Sequence, residues 1–162
     1  MKKLGLVVGR FQPMHDGHCY LIERAIEENE EVVICVGSAQ VKNPFTVKER
    51  VKMVKDFLEA FDLGNKKVRI KALKDIKSEK RWPSYLKGRC EITDETENTF
   101  YTGDDNLPEE YLNDMKKLGF KIKAVERNQF EYKGPDGKVY IFTCATQIRN
   151  LHKELELEIQ RS

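Results

Sequence analysis

Strand, helix and strand alternate within the first 37 residues, and that rhythm constrains the fold more than any other feature of the chain. Residues 3–9 (KLGLVVG) form a nearly unbroken apolar run, as expected of a strand buried on both faces of a sheet. Leu21, Ile22, Ala25 and Ile26 follow at helical spacing, and residues 31–37 (EVVICVG) are a second apolar run. A unit of this size closes as a right-handed crossover between parallel strands. Ten residues, GRFQPMHDGH, fill the junction between the first strand and the helix, from Gly9 to His18.

The same alternation continues. Thr46 and Glu49 have capping-box spacing, and Val47, Val51, Val54, Phe57, Leu58 and Phe61 keep one helical face apolar up to a stop at residues 62–65 (DLGN). Residues 68–73 read as a third strand and 99–102 as a short fourth, stopped by Gly103, Asp104 and Asp105. Pro108 suits a first helical turn, with Tyr111, Met115 and Leu118 on one side, and residues 120–125 read as a fifth strand. Residues 130–132 and 139–142 flank a Gly-Pro-Asp-Gly turn and predict a β-hairpin. A last helix is expected from about Thr146, with Ile148, Leu151, Leu155 and Ile159 on one face. The pattern predicts an α/β fold: a Rossmann-like parallel sheet of about five strands flanked by helices, with an inserted β-hairpin near the C-terminus, in a single domain spanning 1–162.

Composition narrows the function classes. No apolar stretch approaches the roughly 18 residues of a transmembrane helix, so no membrane partner is expected. Met1-Lys2-Lys3 leads straight into a strand, which disfavours a signal peptide. The four cysteines (Cys19, Cys35, Cys90 and Cys144) lack metal-like spacing and read as reduced thiols of a cytoplasmic protein. With 29 basic and 27 acidic residues the net charge is only +2, which disfavours nucleic acid as a partner.

In parallel α/β sheets ligands bind at the carboxyl ends of the strands, where the decapeptide falls. His18 is expected in the first helical turn and His15 on the loop before it, both facing one pocket. A helix N-terminus offers free N–H groups and a partial positive charge, and imidazole donors with Arg10 beside it suit a polyphosphate. His152 is far along the chain and no carboxylate stands at ligand spacing, so no metal site built from protein side chains is expected. Trp82 is the only tryptophan; on composition alone it is a packing residue.

The decapeptide resembles the signature of the HxGH nucleotidyltransferases, and within them it is similar to the archaeal-type nicotinamide mononucleotide (NMN) adenylyltransferases. Further matching segments follow in order: GSAQ at 37–40, KNPFTVKER at 42–50, DI at 75–76 with Trp82, YTGDDN at 101–106 and ATQIR at 145–149. The resemblance implies direct attack of the NMN phosphate on the α-phosphorus of ATP, giving NAD and pyrophosphate. It implies catalytic roles for His15, His18, Arg50 and Arg149 at the phosphates. It implies substrate contacts from Gly9, Arg10, Phe11, Gln12, Gly103, Asp104 and Thr146, and stacking of Trp82 on the nicotinamide. Mg²⁺ would be held mainly by substrate phosphates, and a homo-oligomer stays open. Cys144 stands where the family pattern has serine, and Asn150-Leu151-His152 stands where it has arginines, so the phosphate grip there is thinner. The alternatives are another HxGH transferase, of the pantetheine-phosphate adenylyltransferase or cytidylyltransferase type, and a nucleotide sensor without turnover.

Overall fold

The computed structural model of the chain describes residues 1–103, 107–125, 130–133 and 136–142. Five strands form one sheet: β1 (Lys3–Gly9), β2 (Glu31–Val36), β3 (Lys67–Ala72), β4 (Glu97–Thr102) and β5 (Lys121–Ala124). Their order is β3-β2-β1-β4-β5, and every neighbouring pair is parallel. The apolar runs of β1 and β2 occupy the middle of the sheet, where both faces are covered.

Helices α1 (Asp16–Glu28) and α2 (Val47–Leu58) cover one face, where Ile22, Ala25, Val54 and Phe57 pack with Val7, Val32, Ile34 and Val36. Helices α3 (Trp82–Arg89) and α4 (Glu109–Lys117) cover the other, where Leu86 and Met115 pack with Leu4, Leu6, Val33, Cys35 and Phe100. The first three strands run outward from β1. The chain then crosses back and places β4 on the other side of β1. Loops leaving the ends of β1 and β4 therefore part to opposite faces and open a crevice between those two strands.

The fold confirms the parallel sheet and the hairpin, whose strands β6 (Phe130–Lys133) and β7 (Val139–Phe142) pair antiparallel with Phe130 opposite Phe142. The C-terminal helix expected from Thr146, and Cys144, lie outside the described residues. Cys19, Cys35 and Cys90 are buried, and none of the three is in a disulfide. Among the described residues no helix is long and apolar enough to cross a membrane.

Two boundaries differ from the sequence pattern. Helix α2 stops at Leu58, not at 62–65. The Glu59 N–H turns to Lys55 and Phe57 oxygens, and Ala60 and Phe61 donate to Phe57 and Leu58 in tighter turns. Those turns keep Phe61 on the apolar side, its ring 5.1 Å from that of Phe57, so the spacing outlasts the helix. Helix α3 was not foreseen. It has no side-chain cap, and only Pro83 and Leu86 are buried, too few to show a period. The polar stretch after it is the second half of the crossover: Cys90 and Ile92 are buried, and Lys87 Nζ donates to Asp94 and to the Leu118 carbonyl, both at 2.8 Å. Because Asn98 is buried and paired with Thr93 and Thr96, β4 starts at Glu97, two residues before its apolar part.

Leu86 is the apolar pin of α3 and is fully buried. Leu86→Ala is expected to lower the unfolding free energy by about 2–5 kcal/mol, read from the urea midpoint at unchanged slope.

Candidate active site

At the end of β1 the chain reverses through Phe11, which adopts φ 57° with its ring fully buried. Helix α1 then begins with an N-cap built from two histidines. His15 Nδ1 accepts the Gly17 N–H at 3.0 Å, and His18 Nδ1 accepts the His15 N–H at 3.2 Å. The two rings stack at 3.8 Å between centroids, 25° apart, and Phe11 supports His18 from the other side at 4.3 Å. This pairing sets the tautomer. A ring nitrogen that accepts a backbone N–H carries no proton, so each neutral imidazole is protonated at Nε2. Both rings thus present an N–H donor beside the positive end of α1.

Gly9 is necessary for this arrangement. A Cβ there would lie 2.8 Å from His18 Nε2 and 3.1 Å from Phe11, and His18 cannot retreat because it is held between two rings.

The histidines border a cleft of about 440 Å³ at the carboxyl ends of β1 and β4. Gly103, Leu107, Tyr111 and Val125 line it as well. A Cβ on Gly103 would make only ordinary contacts, at 3.8 Å from Leu21 and 3.9 Å from the Val125 oxygen, so neither space nor backbone demands glycine here.

Arg50 is engaged by the protein's own backbone. It is fully buried, and its five N–H donors are all spent on backbone oxygens. Nε donates to Phe45 (3.2 Å), Nη1 to Arg10 and Gly37 (both 2.9 Å), and Nη2 to Ser38 (3.1 Å) and Val41 (2.9 Å). Burial lowers its pKa, but a guanidinium stays charged. Arg50 therefore has no donor left for a phosphate and acts as the clamp of the loops that frame the site. Gln12 is likewise engaged: its amide donates to Phe45 O at 2.8 Å and accepts Phe45 N–H at 3.0 Å, tying the decapeptide to the loop before α2. Phe11 faces the core, not the cleft. Arg10 is exposed, and among the described residues its side chain makes no ion pair.

Asp75 beyond β3 accepts both Ser38 Oγ (3.0 and 2.9 Å) and Gln40 Nε2 (2.8 Å), which joins the GSAQ and DI segments. Trp82 opens α3, half-buried, with its ring 5.7 Å from that of Tyr85. Tyr111 of α4, which packs into the same apolar cluster as Trp82, lines the cleft. Burial raises the Tyr111 pKa. Sequence spacing placed Tyr111 only on an apolar helix face, with no signal that it would line the cleft. Asp104, Thr146 and Arg149 lie outside the described residues. Among the described residues no three His, Cys, Asp or Glu side chains converge as a metal site would require.

Known proteins resemble this chain at two levels. The cytidylyltransferase-like family matches residues 6–151. Nicotinamide-nucleotide adenylyltransferases of Thermococcus sibiricus and Aeropyrum pernix are each 45% identical to it, over 86 and 91 residues. Those stretches cover 51% and 54% of this chain, and 46% and 52% of the relatives. The chain thus spans about half the length of the curated relatives it matches. Among solved structures, a bifunctional NMN adenylyltransferase/ADP ribose pyrophosphatase from Francisella tularensis superposes with a TM-score of 0.64 at 23% identity, covering 93% of this chain and 42% of that one. That likeness supports the fold.

Arg50→Lys separates a clamp from a phosphate ligand. Lysine keeps the charge but offers three donors and no fork, so carbonyls in a buried site lose their partners. Stability is expected to fall by about 2–4 kcal/mol in urea denaturation. Unchanged stability with lost turnover would return Arg50 to the phosphates.

Proposed function

From the premise that the chain belongs to the cytidylyltransferase-like family, we propose that it joins ATP and NMN to give NAD and pyrophosphate. The observation that carries this reading is the pair of stacked histidines with Nδ1 atoms bound to backbone N–H groups and Nε2–H donors beside the start of α1. The nicotinamide-nucleotide adenylyltransferases that the chain matches over about half their length support ATP and NMN as the substrates.

In this mechanism an oxygen of the NMN phosphate attacks the α-phosphorus of ATP. The new P–O bond forms as the bond from that phosphorus to the bridging oxygen breaks, and its electron pair leaves with pyrophosphate. No protein nucleophile takes part, so rate comes from positioning and from donors that meet charge as it develops. His15 and His18 supply such donors, and their rings are fixed before substrate arrives. The end of α1 adds its dipole. Gly9 lets His18 approach, while Arg50 and Gln12 hold the surrounding loops and make no contact with phosphate. By the family pattern Arg10, Asp104, Thr146 and Arg149 complete the grip on the nucleotides. Mg²⁺ would neutralise triphosphate charge when bound, carried by phosphate oxygens. The work would be done in the cytoplasm.

Incubation with ATP, Mg²⁺ and a panel of acceptor mononucleotides tests the reading, with pyrophosphate release as the signal. NMN is expected to be the acceptor that yields a dinucleotide. Use of phosphopantetheine or of CTP in place of ATP would point to another member of the superfamily. ATP binding without release of pyrophosphate would mark a sensor.

His18→Ala is expected to lower kcat on the order of 10²-fold or more, with a much smaller change in KM, because its donor matters most as charge reaches the leaving oxygens. Equal turnover in the variant would remove His18 from the chemistry.

A further inference from the structure

We propose that Lys74, Lys77, Lys80 and Arg81 form a collecting surface for polyphosphate beside the site. Their common field, and not direct contact, draws the charged end of the nucleotide toward the histidines. The inference rests on the reading of ATP as a substrate and extends it to a loop outside the cleft.

The small net charge of the chain is unevenly distributed. Residues 66–89 hold ten of the 29 Lys and Arg side chains but only two of the 27 Asp and Glu. Some of the ten are committed to the fold. Lys66 donates to the Ile26 carbonyl, Arg69 to the Cys90 carbonyl at 2.8 Å, and Lys87 to Asp94 and the Leu118 carbonyl. The four on the loop after β3 are not. Lys74, Lys77, Lys80 and Arg81 are all exposed, and among the described residues none of them is in an ion pair. Asp75 and Glu79 offset part of their charge and leave the loop positive. Arg10 and Lys42, exposed on the loops after β1 and β2, add to the same field.

Hydrogen bonds hold this loop at the same end of the sheet as the site. The Leu73 N–H donates to Val36 O, and Leu73 O accepts the Ala39 N–H, both at 2.9 Å. The Asp75 carboxylate accepts Ser38 and Gln40, and its N–H donates to Gln40 Oε1 at 3.1 Å. Arg50 grips the Gly37 and Ser38 carbonyls and also that of Arg10, so the loop and the decapeptide share one frame. Only β2 stands between β1 and β3. With strands about 4.8 Å apart, the loop starts about 10 Å from the end of β1. That is too far for a hydrogen bond but within reach of a field, since the Debye length is about 8 Å at physiological salt and about 30 Å at 0.01 M. The other side of the crevice has the opposite sign, because exposed Glu109 and Glu110 open α4. The potential therefore rises toward β1 and β3, and a polyphosphate is drawn to the side from which the histidines project their donors.

Calorimetric titration of the full chain with AMP, ADP and ATP, without Mg²⁺, tests the field and needs no turnover. The neutralised variant combines Lys74→Gln, Lys77→Gln, Lys80→Gln and Arg81→Gln. It is expected to bind ATP about tenfold more weakly at about 0.01 M salt, and less than about twofold more weakly near 1 M, where the Debye length is about 3 Å. The loss should grow from AMP through ADP to ATP, at an unchanged melting temperature. A charge-conserving variant, Lys74→Arg with Lys77→Arg and Lys80→Arg, should bind as the parent does. An equal loss for all three nucleotides overturns the proposal, since that marks damage to the fold. A loss that survives 1 M salt, or one that appears in the arginine variant, overturns it in favour of direct contacts, and so does ATP binding that neutralisation leaves unchanged at low salt. NAD formation by a chain whose neutralised variant binds ATP normally removes this inference alone. The charge-graded loss without pyrophosphate release from any acceptor keeps it and removes the proposed function.

Discussion

The frame of the site depends on one buried cation. Arg50 reaches from the first turn of α2 to the ends of β1 and β2 and to the loop between β2 and α2, and it collects five carbonyl oxygens. Each of those carbonyls is at a strand end or in an irregular loop, where no ladder satisfies it. One fork-shaped residue replaces what would otherwise be water or a set of separate partners. Taking a guanidinium out of water costs several kcal/mol, and only a full set of acceptors offsets it. Among the described residues no carboxylate pairs with Arg50. Its charge is met by carbonyl dipoles and so is not cancelled. The loops around it consequently keep a positive bias, which favours an anionic ligand nearby.

The histidine pair depends on that frame. Gln12 ties the decapeptide to the backbone of Phe45, and Arg50 holds both Phe45 and Arg10. With the loop fixed at those points, His15 can serve as an N-cap and His18 can close the box from the third helical position. The capping bonds do two things at once. They satisfy helix N–H groups that would be orphaned, and they force the imidazole protons to the outer nitrogens. Stability and proton placement therefore come from the same two contacts. The cleft in front of them has one wall from α1 and the other from α4. Its second wall carries Tyr111, which packs with Trp82 of α3 against the same apolar cluster.

Much of this was legible in the residues. The apolar runs of β1 and β2, the capping box of Thr46 and Glu49, and the pairing of β6 with β7 each depend on near neighbours, and each formed as its pattern implied. The strand-to-helix junction placed His15 before the helix and His18 in its first turn for the same reason. Helix α3 was not legible, because two buried residues cannot display a period and its stability comes from packing on β1, β2 and β4. The backbone partners of Arg50 were not legible. Its motif marks where it sits along the chain, one turn into a helix, but not which oxygens the distant ends of β1 and β2 bring to it.

The sequence by itself determined the alternation of strands and helices, the parallel sheet that follows from it, and the place of the histidines at a helix start. Those properties are set by contacts within a few residues and by the period of apolar side chains. Tertiary structure alone decided which side chains face the cleft, which are consumed in holding it, and which tautomer the imidazoles adopt. Arg50 and Gln12 carry groups that could bind phosphate, and only the convergence of carbonyls far apart in sequence engages them in the loops. Tyr111 and Trp82, 29 positions apart, join one apolar cluster only because the crossover lays α3 and α4 on the same face of the sheet. A donor's function depends on which acceptor is nearest when the chain has closed, and that distance is set by the packing of the whole sheet.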